Sequence, residues 1–162
     1  MHDQTKEKGF TLVEIIAVLV IIGIVAAYAG LRMTSTADVN NKAMAEALKS
    51  HIRFAQMKAM NTEPDPSAPS NCNASCGISM SANSYFMFRN CQLNDKVILP
   101  GSETDVVSLK NLTLSPATVA FDRYGRPCDN LNCAGLTPST ANTTITLGTE
   151  TITITKNTGF VP

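Results

Sequence analysis

Residues 9–31 read Gly9-Phe10-Thr11-Leu12-Val13-Glu14 and then IIAVLVIIGIVAAYAGL, a long apolar run that carries one acid near its start. At ~1.5 Å per residue, a helix over this run is long enough for a hydrocarbon core of ~30 Å. A carboxylate deep in a bilayer costs ~2.5–3.5 kcal/mol, and each Leu, Ile, Val or Phe contributes ~0.3–0.6 kcal/mol in the other direction. Thirteen such residues lie in 10–31. Together they contribute ~4–8 kcal/mol, so insertion is favoured. A secretory signal peptide would have a shorter apolar core followed by a small-residue cleavage site. A plain anchor leaves the acid unexplained, because an ionisable group in lipid needs a partner. A cut between Gly9 and Phe10 would create an amino group four residues before Glu14. Amine and carboxylate in lipid would each offset the other's desolvation.

Lys8-Gly9-Phe10-Thr11-Leu12-Val13-Glu14, followed by an apolar run containing Ile22-Gly23-Ile24, resembles the class III leader and N-terminal helix of type IV pilins and type II secretion pseudopilins. The resemblance implies that a prepilin peptidase cuts after Gly9 on the cytoplasmic side and N-methylates Phe10. It implies that Glu14 neutralises the Phe10 amine of a neighbouring subunit during assembly. The implied partners are other pilin or pseudopilin subunits, the peptidase and an inner-membrane assembly platform. Most relatives carry a proline where Leu31 stands, preceded here by Gly30. Any break in the helix there would fall to glycine, the weaker breaker.

The chain has 162 residues and no formal net charge, which suits one anchored domain and argues against a broadly basic nucleic-acid surface. Removing leader and span leaves roughly 130 residues, enough for one modest core. The remainder is rich in Thr, Ser and Asn and lacks Trp. Its five cysteines, Cys72, Cys76, Cys91, Cys128 and Cys133, are expected to form disulfides in an exported domain. A metal site is the weaker reading, since the spacings lack a C-x-x-C knuckle and no histidine is near. The preferred bridges are the local ones, Cys128–Cys133 and either Cys72–Cys76 or Cys76–Cys91. The odd count leaves one thiol free or bridged to a partner, and sequence does not fix the connectivity.

Five segments follow: a leader at 1–9, a transmembrane or filament-core helix at 10–31, its amphipathic continuation at 32–61, a Pro/Ser-rich loop at 62–75 and a β-rich domain at 76–162. Lys6 and Lys8 precede the span and Arg32 alone follows it closely. The positive-inside rule therefore keeps the leader in the cytoplasm and sets the C-terminal domain outside it, and the resemblance implies a single-pass protein of the inner membrane that enters a filament after assembly. Met44, Leu48, Ile52, Ala55 and Ala59 recur at helical spacing and form a stripe for packing on a sheet. Thr34-Ser35-Thr36 and Val39-Asn40-Asn41 are poor helix formers and predict a looser stretch. His51 is given no role. Pro64, Pro66 and Pro69 end the helix and stiffen the loop, a surface suited to subunit contacts. Strands are predicted at 85–89, 96–99, 106–109, 112–114, 118–121, 143–147 and 151–155, with a turn at Lys110-Asn111. Gly148-Thr149 suits a II′ hairpin that sets Ile145 opposite Ile152 and turns the isoleucines toward the helix stripe. The expected fold is α+β and pilin-like: a long N-terminal helix, its first half transmembrane, packed on an antiparallel sheet.

Ala55-Gln56-x-x-Ala59, Phe121-x-x-x-Gly125-x-Pro127 and the terminal Ile154-x-x-x-x-Gly159-Phe160-Val161 add a looser similarity to minor pilins of the GspH/FimT type. The reading is a structural minor pilin or pseudopilin of a type IV pilus or type II secretion pseudopilus, with no cofactor. No nucleophile elbow, phosphate-binding glycine loop or zinc-protease helix occurs, so an enzyme is not expected. Asp122, Asp129 and Asn130 match no defined calcium loop and read as turn residues. The alternative is a DNA-uptake or adhesive subunit. Some FimT-like pilins bind DNA through a basic C-terminal segment, whereas this tail has only Lys156. Arg123 and Arg126 are the candidate DNA contacts, and so few phosphate contacts give weak, salt-sensitive binding. Nucleic acid is therefore not an expected partner.

Overall fold

The computed structural model describes residues 10–63, 65–110, 112–133 and 139–162, with the backbone alone at 31–37, 74 and 75. The leader with Gly9, Lys6 and Lys8, together with Pro64 and Asn111 of the predicted loop and turn, lies outside the described residues. One compact unit ends at Val39, and Asn40–Pro162 forms the other.

Helix α1 spans Leu12–Asn61 without interruption. Helical backbone continues through Gly30, Thr34–Thr36 and Asn40–Asn41, where the sequence predicts a looser stretch. Intrinsic propensities differ by less than ~1 kcal/mol per residue and are readily outweighed. Within the second unit the predicted stripe is buried at Leu48, Ile52, Ala55 and Ala59, with Ala45 in place of the half-buried Met44.

The strands among the described residues are β1 (Ala74–Ser81), β2 (Ser84–Arg89), β3 (Gln92–Val97), β4 (Val107–Ser108), β5 (Ala117–Asp122), β6 (Pro127–Cys128), β7 (Thr143–Leu147) and β8 (Glu150–Ile154). The larger sheet runs β3-β2-β1-β5-β6, with β4 on β2, and all its pairings are antiparallel. Strand β1 lies at its centre and begins inside the segment predicted as loop. The predicted strand at 96–99 begins earlier, at Gln92. Only Val107–Ser108 of the predicted 106–109 is strand, and 112–114 is reduced to a bridge between Leu114 and Leu147.

The terminal hairpin has the predicted register, Ile145 opposite Ile152 and Leu147 opposite Glu150. Gly148 has φ 57° while Thr149 is not in the left-handed region, as a II′ turn requires. Ile145, Leu147, Ile152 and Ile154 are buried in one cluster with the helix stripe and with Ile78, Met80, Tyr85, Met87, Val119 and Phe121 of the large sheet. A smaller cluster holds Phe88, Ala120, Cys91, Cys128 and Cys133. These residues alternate with the first set along β2 and β5, so they belong to the opposite face. At its centre a Cβ on Gly77 would stand 2.4 Å from Phe88 Cζ and 2.5 Å from the Val119 carbonyl oxygen. The missing side chain is what lets the Phe88 ring lie across β1.

The cysteines follow the same alternation. Cys128–Cys133 forms as predicted, but the other bridge is Cys72–Cys91, not Cys72–Cys76 or Cys76–Cys91. Asn90 and Cys91, at φ 56° and 57°, make a two-residue turn between β2 and β3. Cys91 and Cys72 thereby join the outer cluster, whereas Cys76 points into the helix-facing core at 3% exposure. Cys76 is the free thiol, and burial pushes its pKa up to about 11. At pH 8 such a group is about one part in a thousand thiolate, against roughly a quarter for an ordinary cysteine near 8.5. Alkylation of the native chain at pH 8 should therefore leave Cys76 unmodified, and denaturant should expose one reactive thiol per chain. Rapid native labelling would show that the core opens at β1.

Candidate functional site

The N-terminal site begins at Phe10, just outside the helix. Thr11 is the N-cap of α1: its Oγ1 accepts from the Glu14 amide at 3.3 Å, and its carbonyl accepts from the Glu14 and Ile15 amides at 3.1 and 3.3 Å. Thr11-x-x-Glu14 is the spacing of a capping box, a helix-start signal that is present in the sequence alongside the cleavage motif. Glu14 thus stands in the first turn, where a negative charge also meets the positive end of the helix dipole. Phe10 and Glu14 are exposed, as are all the apolar side chains from Leu12 to Tyr28. The segment Leu12–Gly30 has 19 residues with mean hydropathy 2.7 and none of it buried. At ~1.5 Å per residue it spans close to the ~30 Å of a bilayer core. Phe10, one acid and an apolar rod with no cover among the described residues are thus brought together within a few positions.

The second candidate site is the turn between β5 and β6. Asp122 is fully buried. Its Oδ1 accepts from the amides of Tyr124 and Arg126, both at 2.9 Å. Its Oδ2 accepts from Arg126 Nε and Nη2, both at 2.8 Å. This two-pronged ion pair commits the Arg126 charge to the fold. The guanidinium carbons of Arg123 and Arg126 lie 5.2 and 5.0 Å from the Tyr124 ring centroid. The two arginines are neighbours, yet Arg123 alone keeps its fork clear of Asp122. Gln56 holds this turn to the helix: its Nε2 donates to the carbonyls of Gly125 and Thr158, both at 2.8 Å. Arg53 donates to the Val161 carbonyl through Nη2 at 2.9 Å.

On the other side of the helix, His51 has a structural role that its sequence context conceals. Nε2 lies 3.0 Å from the Pro100 carbonyl and Nδ1 lies 2.9 Å from the Tyr85 hydroxyl. A carbonyl only accepts, so in the neutral ring Nε2 carries the proton and Tyr85 donates to Nδ1. Tyr85 is 1% exposed, and burial pushes its pKa up to about 12.

A cavity of about 170 Å³ lies between the helix end, the 62–75 loop and β1–β3, with Cys76 and Met87 in its lining and Lys58, Glu63, Asp65 and Arg89 around them. Asp65 is held below the usual carboxylate range by hydrogen bonds from Ser67. The loop itself is tied down by Cys72–Cys91, by the Asp65 amide donating to Asn90 Oδ1 at 3.0 Å and by the Asn73 amide donating to the Asn132 carbonyl at 2.8 Å. Four of the five cysteines are consumed in disulfides, and no cluster of three or more His, Cys, Asp or Glu that could hold a metal occurs among the described residues. Asp129 is held low by hydrogen bonds from Ser139 and Thr140, which is a turn role.

Residues 4–30 match the family of the prokaryotic N-terminal methylation motif. No curated protein and no solved structure matches the chain. The match covers Gly9, Phe10, Glu14 and the apolar rod described above, and the domain that follows is a helix packed on an antiparallel sheet. Residues 4–30 thus carry the methylation motif found in type IV pilin-like precursors, followed by an α+β domain.

Proposed function

We propose that this chain is a minor pilin or pseudopilin, cut after Gly9, N-methylated at Phe10 and drawn from the inner membrane into a filament. The observation that carries the reading is the methylation motif at 4–30 set on a 19-residue apolar helix with no buried face. A rod so apolar needs lipid before assembly and other rods after it. The helices of neighbouring subunits supply that cover, and Glu14 meets the Phe10 amine of a neighbour. The domain from residue 40 onward then lies outside the cytoplasm, where its two disulfides persist. The role is structural. A DNA-uptake role has less support, because Arg126 is already paired with Asp122.

Intact mass with N-terminal sequencing, on protein taken from its native membrane, tests the reading. The expected chain starts at N-methyl-Phe10 and is four hydrogens lighter than its reduced form, two for each of two disulfides. A chain that still starts at Met1 in cells with active prepilin peptidase would remove the pilin reading.

A further inference from the structure

We propose that Cys76 and Met87 together form a binding site for a soft monovalent cation, Cu(I), on the floor of the cavity beneath the 62–75 loop. The site lies within the Asn40–Pro162 unit and does not depend on the filament reading.

Cys76 of β1 lies opposite Arg89 of β2, and Met87 lies opposite Ile78. Cys76 and Met87 are therefore diagonal neighbours in this ladder, ~7–8 Å apart at the backbone. Both belong to the helix-facing core, at 3% and 0% exposure. Both line the same cavity of about 170 Å³. A short cysteine and a long, unbranched methionine can close on one ion across that separation.

A buried free cysteine often serves as a small apolar filler. Cys76 differs in its surroundings. Voids larger than a water molecule are few in a protein interior, yet this side chain borders one. Its thiol has no hydrogen-bond partner among the described residues, and a thioether shares the cavity floor with it. The other four cysteines are bridged, so Cys76 alone can supply a thiolate.

The donors and the charges select the ion. Thiolate and thioether are soft ligands and favour Cu(I), whereas carboxylates suit Mg, Ca and Mn. The mouth of the cavity carries the exposed residues Lys58, Glu63, Asp65 and Arg89. Two of these are already engaged: Arg89 with Asp95 at 2.8 Å, and Asp65 Oδ1 with the Ser67 amide and hydroxyl at 2.8 and 2.7 Å. Lys58 has no ion-pair partner among the described residues. A thiolate and a monovalent cation sum to zero, which suits a buried floor. A divalent cation would leave a net positive charge there, facing the Lys58 ammonium. Binding exchanges the thiol proton for the metal: the S–H bond breaks, an S–Cu bond forms, the proton leaves to water and no oxidation state changes.

The test uses the full-length chain in detergent micelles, under argon, with Cu(I) kept reduced by ascorbate. A chromogenic Cu(I) chelator competes for the metal and strips it from isolated thioethers such as the exposed Met57 and Met60. Wild type should retain one Cu(I) per chain, and X-ray absorption should show two sulfur neighbours around it. Cys76→Ala should retain none. Met87→Leu, which conserves volume, should weaken binding at least ~10-fold, because even changes behind the direct ligands cost 10–100-fold in affinity. Zn(II) at equal concentration should not displace the Cu(I). Melting curves without metal confirm the fold of each variant, and Met87→Leu decides the matter if Cys76→Ala does not fold. Equal retention by wild type and Cys76→Ala, unchanged affinity in Met87→Leu, displacement by Zn(II), or a coordination shell of nitrogen and oxygen overturns the site.

Discussion

Glu14→Ala should leave the chain anchored and cut after Gly9 but reduce its presence in sheared filaments ~100-fold. The helix start should survive the change. Thr11 caps α1 through its own Oγ1 and carbonyl, both bonded to the Glu14 backbone amide, which alanine retains. Insertion should improve slightly, since removing a carboxylate removes its cost in hydrocarbon. The loss falls on association. An amine at Phe10, buried among apolar rods without its carboxylate, carries an unpaired charge worth ~2.5–3.5 kcal/mol at bilayer depth. At ~1.4 kcal/mol per factor of ten, that is the expected ~100-fold. Shearing, followed by immunoblots of filament and membrane fractions, reads the effect, and N-terminal sequencing confirms the cut. Normal incorporation of Glu14→Ala would end the proposed role for this acid.

The features legible in the sequence are those in which one residue type serves one need. The run after Phe10 is apolar on every side because none of it is buried within the chain. The stripe ending at Ala59 and the isoleucines of β7 and β8 are periodic because one face of each is buried in a shared core. Strand β1 is illegible for the opposite reason. Its sequence, ASCGISMS, holds small and polar residues with low strand propensity. It becomes the central strand because Phe88 on β2 covers Gly77, and Thr118 on β5 lies 3.2 Å from Ser79. Cys72–Cys91 is hidden with it, since the face on which Cys76 falls depends on β1 and the face on which Cys91 falls depends on the turn after β2. That Asn90-Cys91 turn carries no glycine to announce positive φ. The Arg123–Arg126 spot is legible as charge, but the burial of Asp122 behind it is not, because Asp-x-x-x-Arg in a turn-rich stretch does not show which side chain points inward.

Asp122→Ala should lower the stability of the Asn40–Pro162 unit by ~3 kcal/mol, the larger of two effects at this position. The carboxylate is fully buried and carries four short bonds, two from backbone amides and two from Arg126. Breaking a buried pair on one side costs ~3–5 kcal/mol when the remaining charge stays buried. The Arg126 side chain is 29% exposed, so part of its charge regains water and the cost falls toward the lower end. The amides of Tyr124 and Arg126 add to it, since a buried donor without a partner costs ~1–3 kcal/mol. Asp122→Asn separates the two contributions. An asparagine oxygen can still accept from both amides in place of Oδ1, but its amino group then faces the Arg126 guanidinium, donor against donor. It should cost about half as much as alanine. For a unit of this size ~3 kcal/mol corresponds to a fall in Tm of roughly 10 °C, readable by circular dichroism on purified wild type, Asp122→Asn and Asp122→Ala. Equal losses for both variants would mean that the ion pair carries the turn and the amide bonds add nothing. An unchanged Tm for Asp122→Ala would mean that the turn is held from outside, by Gln56 on Gly125 and the Cys128–Cys133 bridge.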